Sequence, residues 1–132
     1  MTGKELIEGR AVLRELMGRK LPAKLGLAIG MNLDEMEKVA NHIEKQRVGM
    51  LERYAEKDES GNAIIDAQDG REVYRLSNEN MVAFTNEYAQ FLDEPIDMQI
   101  QSVPVIVLDM LDSEKFDALS GFELKALGFM IQ

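Results

Sequence analysis

Apolar positions along the chain fall first into one long helical stripe. From Leu33 through Met36, Ala40, Ile43, Arg47 and Met50 to Tyr54 the steps alternate between three and four residues, the repeat of a heptad seam. Gly26 and Ile29 extend it backwards. The pattern predicts one helix from Pro22 to about Lys57, approaching 50 Å at about 1.5 Å per residue. Pro22 suits its first position, because the missing N–H is unpaired there anyway. Ahead of it, Thr2-Gly3-Lys4-Glu5 reads as a capping box. That box predicts a helix from Gly3 to Met17, with Leu6, Val12, Leu13, Leu16 and Met17 on one stripe. Gly9 in that stripe suggests the close approach of another backbone, and Gly18 is placed for a left-handed cap.

Beyond Glu56 the helical period breaks. Asp58-Glu59-Ser60-Gly61-Asn62 and Ala67-Gln68-Asp69-Gly70 carry turn chemistry around Ile64-Ile65 and Val73-Tyr74. A β-hairpin turning at Asp69-Gly70 is expected. Ser77 caps the next helix, where Met81, Phe84, Tyr88 and Phe91 form a second heptad stripe. This return helix should run antiparallel to the long one and ends near Asp93, before Pro95. It has about half its partner's length, so part of the seam needs other cover: the first helix, the C-terminal segment or a second subunit. Ile96, Met98 and Ile100 alternate with Asp97, Gln99 and Gln101 as a strand would. Val103–Leu108 reads as an edge or bulged strand, or as two short pieces, because Pro104 cannot donate to a ladder. Ser113 and Ser120 are candidate N-caps for short helices at 114–119 and 121–128, and Phe122, Leu124, Leu127, Met130 and Ile131 are expected to dock on the body.

The expected fold class is therefore α+β, mainly α: a long antiparallel, coiled-coil-like helical hairpin with a small β-hairpin at its tip and a short C-terminal strand and helix segment. A chain of 132 residues is expected to form a single domain, 1–132. Its parts are an N-terminal helix (1–18), the long helix (22–57), turn and β-hairpin (58–76), return helix (77–94) and the final segment (95–132). Gly26, Gly30, Leu33, Met36, Ala40, Ile43 and Arg47 line the seam's uncovered part and are the candidate interaction surface, for a homo-oligomer or another protein. The Gly26–Gly30 spacing suits close crossing by the first helix. Arg47 either sets register as a polar seam residue or snorkels outward.

Composition narrows the chemistry. No cysteine is present, which removes disulfides, thiol nucleophiles and thiolate metal sites. The start lacks an apolar signal core and no apolar run approaches the roughly 18 residues that span a bilayer, so a soluble protein without membrane contact is expected. Residues 1–24 hold six basic and three acidic residues, net +3; the rest holds 9 basic and 21 acidic, net −12. Direct nucleic-acid binding is disfavoured by that balance. Nine methionines and no tryptophan point to an aliphatic, adaptable core.

No residue set demands catalysis. His42 is the only histidine and points away from the seam, without nearby partners for metal or proton work. Asp58, Ser60 and Asn62 begin like a calcium loop, but Ala63 and Asp69 stand where its glycine and glutamate belong. Asp66, Asp69 and Glu72 fit turn propensity. Asp109 with Glu123-Leu124-Lys125 loosely resembles a nuclease arrangement, but the capping box at Ser120-Gly121-Phe122-Glu123 already accounts for Glu123. No catalytic, cofactor-binding or metal residues are assigned, and no cofactor is expected.

Leu21-Pro22-Ala23-Lys24-Leu25, Asn32-Leu33, the run Arg53-Tyr54-Ala55-Glu56-Lys57-Asp58-Glu59-Ser60-Gly61-Asn62 and the ending Leu127-Gly128-Phe129-Met130-Ile131 together resemble a family of small uncharacterised phage and prophage proteins of Gram-positive hosts. The resemblance covers nearly the whole chain; its most specific element is the tyrosine-to-asparagine turn, and Gly26 and Gly30 depart from it. It implies phage origin, with the protein in the host cytoplasm or the virion, and no catalytic residue or cofactor. The expectation is a non-enzymatic protein binding phage or host proteins, as a virion-assembly or accessory factor. Two alternatives stand beside it: an acidic anti-defence inhibitor that mimics nucleic acid, and a small-nucleotide sponge relying on the basic N-terminal helix.

Overall fold

The computed structural model describes residues 1–132. About 60 % of the chain is helical, with one two-stranded antiparallel sheet, so the α+β, mainly α class holds. Its elements are α1 (Gly3–Leu16), α2 (Ala23–Tyr54), β1 (Ile65–Gln68), β2 (Arg71–Tyr74), α3 (Asn78–Asp93), a 3-10 helix (Val105–Asp112), α4 (Gly121–Ala126) and a 3-10 turn (Gly128–Met130). Where one domain is expected, the chain forms two compact units: residues 1–40 with 95–132, and residues 41–94. No helix is long and apolar enough to cross a membrane.

The larger unit begins with the capping box. Thr2 and Glu5 exchange backbone and side-chain hydrogen bonds, each 3.2 Å, satisfying two otherwise orphaned amides of α1. Leu6, Leu13 and Leu16 of α1 are fully buried with Leu25, Ile29 and Met36 of α2. Gly9 lies close to the Met36 methyl: a β-carbon there would meet it at 3.7 Å. Gly18 is not left-handed; the positive-φ residues are Gly61, Asp69 and Gly70. Instead α1 tightens at its end, with the Arg19 amide donating to the Leu16 carbonyl at 3.0 Å.

The expected strands at 96–101 and 103–108 do not form. Residues 96–102 are irregular, and 105–112 coil into a 3-10 helix after Pro104. A strand needs a partner to accept its ladder, and no neighbouring edge is offered to this segment. Only Val103 pairs like a strand, with Ile131: its amide donates to the Met130 carbonyl at 2.8 Å, and the Gln132 amide donates back to it at 2.9 Å. The expected helix at 114–119 is likewise absent; the Asp117 amide donates to the Lys20 carbonyl while its carboxylate accepts the Lys20 amide, both at 2.8 Å. The Ser120 box does start α4, with Ser120 and Glu123 bonding reciprocally at 2.9 and 3.1 Å. The Arg19 guanidinium also reaches Glu123, at 2.9 Å.

In the smaller unit, β1 and β2 pair in the register Ile65 with Tyr74 through Gln68 with Arg71. The turn between them is Asp69-Gly70, with φ of 50° and 77°, the doubly left-handed geometry whose twist matches a hairpin. Asp58 accepts the Ser60 and Asn62 amides at 2.9 and 3.0 Å, which spends this carboxylate on turn geometry. Ser77 caps α3 through the Asn80 amide at 3.1 Å. Asn80 also donates to the Tyr54 carbonyl at 3.1 Å, and Arg53 reaches both oxygens of Glu87 at 3.1 Å.

Charge pairing sets an acid limit on this architecture. Glu37 is held below its usual range chiefly by hydrogen bonding from Arg14, with Arg10 assisting. Arg47 does the same for Glu44 and Arg75 for Asp66. Glu123 is lowered first by the Ser120 amide and then by Arg19. Depressed carboxyls bind fewer protons folded than unfolded, so their stabilisation is complete above the ordinary values of 4.5 for Glu and 3.8 for Asp and is lost as pH falls through the lower folded values. The urea midpoint should stay level from neutrality to about pH 5 and decline steadily below it. A midpoint unchanged to about pH 3 would contradict these pairings.

Candidate protein-interaction surface

The seven seam residues do not form one exposed surface. Met36, Ala40 and Ile43 are buried inside the chain, which corrects their placement at an uncovered interface. Within the larger unit α1 and the C-terminal segment both reach α2: Arg10 and Arg14 clamp Glu37, at 3.2 Å for Arg10, and Asn32 binds residue 101. Gly26, Gly30, Leu33 and Arg47 are half-buried. Gly30 faces the Met17 thioether, where a β-carbon would meet the methyl at 3.4 Å, whereas nothing lies within 4 Å of Gly26. Side-chain packing at Gly30, not a close crossing of backbones at both glycines, is therefore observed. Arg47 bonds Glu44 on its own helix, the snorkelling alternative in outline.

Seam reasoning overlooked Asn32. It is 0 % exposed, and its amide makes a two-point bond to the backbone of Gln101: Nδ2 donates to the carbonyl at 2.9 Å and Oδ1 accepts the amide at 2.7 Å. It pins the irregular stretch after Pro95 onto α2. A lone asparagine between Ile29 and Met36, on the apolar stripe through Leu25, was the available signal. Buried amides are kept only where both halves are satisfied.

Exposed apolar side chains of the same unit include Met17 after α1 and Leu27 and Met31 on α2, with a further set in the C-terminal segment. Val105 (58 %), Ile106 (67 %) and Met110 on the 3-10 helix, and Phe122 (72 %) and Leu124 on α4, face solvent. Two hollows flank α4. One, about 370 Å³, lies between α1 and the C-terminus and is lined by Glu8, Gly9, Val12, Phe122, Lys125 and Phe129 among others. A smaller one, about 180 Å³, is walled by Leu108, Leu111, Leu119 and Leu124. Phe122 lines the first hollow and Leu124 the second, and apolar exposure beside concave surface is a usual mark of a recognition site.

Residues considered for chemistry are dispersed. His42 is exposed on α2, Asp109 is exposed on the 3-10 helix, and Glu123 is committed to Ser120 and Arg19. Asp66 is held by Arg75 at 2.6 and 2.9 Å. The side chains of His, Asp and Glu form no cluster of three or more suited to a metal ion. Compared with family models, curated proteins and solved structures, the chain gives no significant match.

Proposed function

We propose that this chain is a phage-encoded, non-enzymatic protein that works by binding another protein of the phage or its host, as an assembly or accessory factor. The carrying observation is the exposed apolar side chains of the 3-10 helix and of α4, with Ile106 and Phe122 largely solvent-facing and Phe122 lining the larger hollow. Aromatic and aliphatic anchors entering concave surface supply most of the energy in protein recognition. Phage origin rests on the sequence resemblance, and the host cytoplasm or the virion is the setting it implies. The smaller unit is read as an antiparallel helical hairpin: Tyr54 meets Asn80, Arg53 meets Glu87, and Tyr88 lies in the field of Arg47 and Glu44. Those pairs descend α2 as they ascend α3, and the β-hairpin follows α2 at that end.

The test is a paired substitution. Ile106→Asp with Phe122→Asp should leave the thermal midpoint nearly unchanged, since both side chains are already in water. It should abolish co-purification of the partner retained by the native chain from phage-producing cells. Retention of the same partner by the double variant would overturn this placement of the surface.

A further inference from the structure

Within the larger unit, α2 has an outward face opposite its buried one. At about 100° per residue, Lys24, Leu27, Met31, Asp34 and Lys38 fall on one stripe about 80° wide, and all five are exposed. Leu25, Ile29, Asn32 and Met36 hold the other side and are buried. Leu27 is 67 % exposed and Met31 43 %. Met17, at 51 %, lies beside them with its methyl against Gly30. Three large apolar side chains therefore adjoin on one exposed helix surface.

Charge brackets these side chains on the stripe itself. Lys24 stands three residues before Leu27, and Asp34 three residues after Met31, so the face reads basic, apolar, apolar, acidic. Neither Lys24 nor Asp34 enters any of the seven ion pairs within the chain. Lys38, a turn further on, is instead held by Glu35 at 3.2 Å. Read in reverse, the same order is its own complement.

We infer that the Lys24–Asp34 face of α2 pairs antiparallel with the same face of a second copy. A two-fold axis across the helix, level with Ile29, sets Leu27 of each copy on Met31 of the other and Lys24 of each opposite Asp34 of the other. The alternating steps of three and four make these the facing layers of a short coiled-coil contact. Met17 of each copy flanks the axis beside Gly30. A parallel, in-register pair would instead set Lys24 on Lys24 and Asp34 on Asp34, so charge selects the direction as well as the partner. Residue 20, which this register would turn toward Lys38, precedes the helix and is held to residue 117. This contact lies on the side of α2 opposite Met36 and Ile43, and it goes beyond the function proposed above. A patch of this size places it among weak, concentration-dependent contacts.

Light scattering on the full chain, at concentrations rising to about 1 mM, tests this. The mass should climb from 14.9 kDa towards twice that value. Leu27→Glu with Met31→Glu should hold it at the monomer mass with the helical circular dichroism retained, because both side chains are exposed in the single chain. Lys24→Asp alone, or Asp34→Lys alone, sets like charges against each other at two places and should raise the dissociation constant about tenfold. The two changes together restore opposite pairs and should recover the native value. A native chain still monomeric at about 1 mM would overturn the inference. So would a dimer indifferent to the Leu27/Met31 pair, or one that the single and combined charge changes weaken alike. The Leu27/Met31 variant should still retain the partner that Ile106→Asp with Phe122→Asp loses, so the two surfaces fail separately.

Discussion

Asn32→Leu should destabilise the larger unit by about 2–3 kcal/mol, read as a shift of the urea midpoint without loss of slope. Leucine keeps the γ-branched outline of asparagine but is bulkier, so it leaves no cavity and adds some overpacking. The larger part of its cost comes from the backbone of Gln101, whose N–H and C=O both lose their partners at once. Unpaired groups in a partly buried place cost about 1–3 kcal/mol each, less whatever water recovers. Asn32→Asp should be worse at neutral pH, because a carboxylate would face the Gln101 carbonyl that Nδ2 now serves. Its deficit should shrink on moderate acidification, when a protonated Asp can again donate there. That reversal separates lost hydrogen bonding from lost packing, since only the former depends on the proton. An Asn32→Leu chain as stable as the native one would show that the Gln101 stretch is not held this way.

Met36→Ala should cost about 2–5 kcal/mol, the range for deleting a buried long side chain and leaving part of its cavity. Met36 is 0 % exposed, against Gly9 on one side, and few neighbours can move into its space. The effect should not depend on protein concentration, because the cavity lies within one chain. Arg47→Ala, on the same heptad stripe but half-exposed, should change monomer stability by well under 1 kcal/mol. Denaturant titrations at two concentrations compare the two. A Met36→Ala loss that vanishes in dilute solution would restore this residue to an interface.

What could be read from the sequence was the local chemistry. Both capping boxes, at Thr2 and Ser120, formed because each needs only residues three apart. Asp69-Gly70 formed its turn because few other pairs accept two positive φ values. The long helix, thirty-two residues in all, was found to within a few residues because its three-four period recurs along most of it. Failures began where the partner decided. Ile96–Gln101 alternates as a strand does, yet it meets the side chain of Asn32 rather than a sheet edge. Pro104 limited the next segment, and the outcome was a 3-10 helix. The seam from Met36 to Met50 was located, and the first helix, the C-terminal segment and a second subunit stood equally as its cover: periodicity says that a face is apolar, not which element covers it. At the N-terminal end the buried stripe also drifts from Gly26 and Leu33 to Leu25, Ile29 and Asn32. For the same reason the outward-facing Phe122 and Leu124 read as docking residues, although both are exposed.

Placing a photo-crosslinking amino acid at position 122 in phage-producing cells tests the functional account most directly. One discrete adduct to a protein other than this chain is expected, and none from the same probe at the exposed turn residue Glu59. Adducts of equal yield and pattern from both positions, or adducts only to a second copy at position 122, would contradict it.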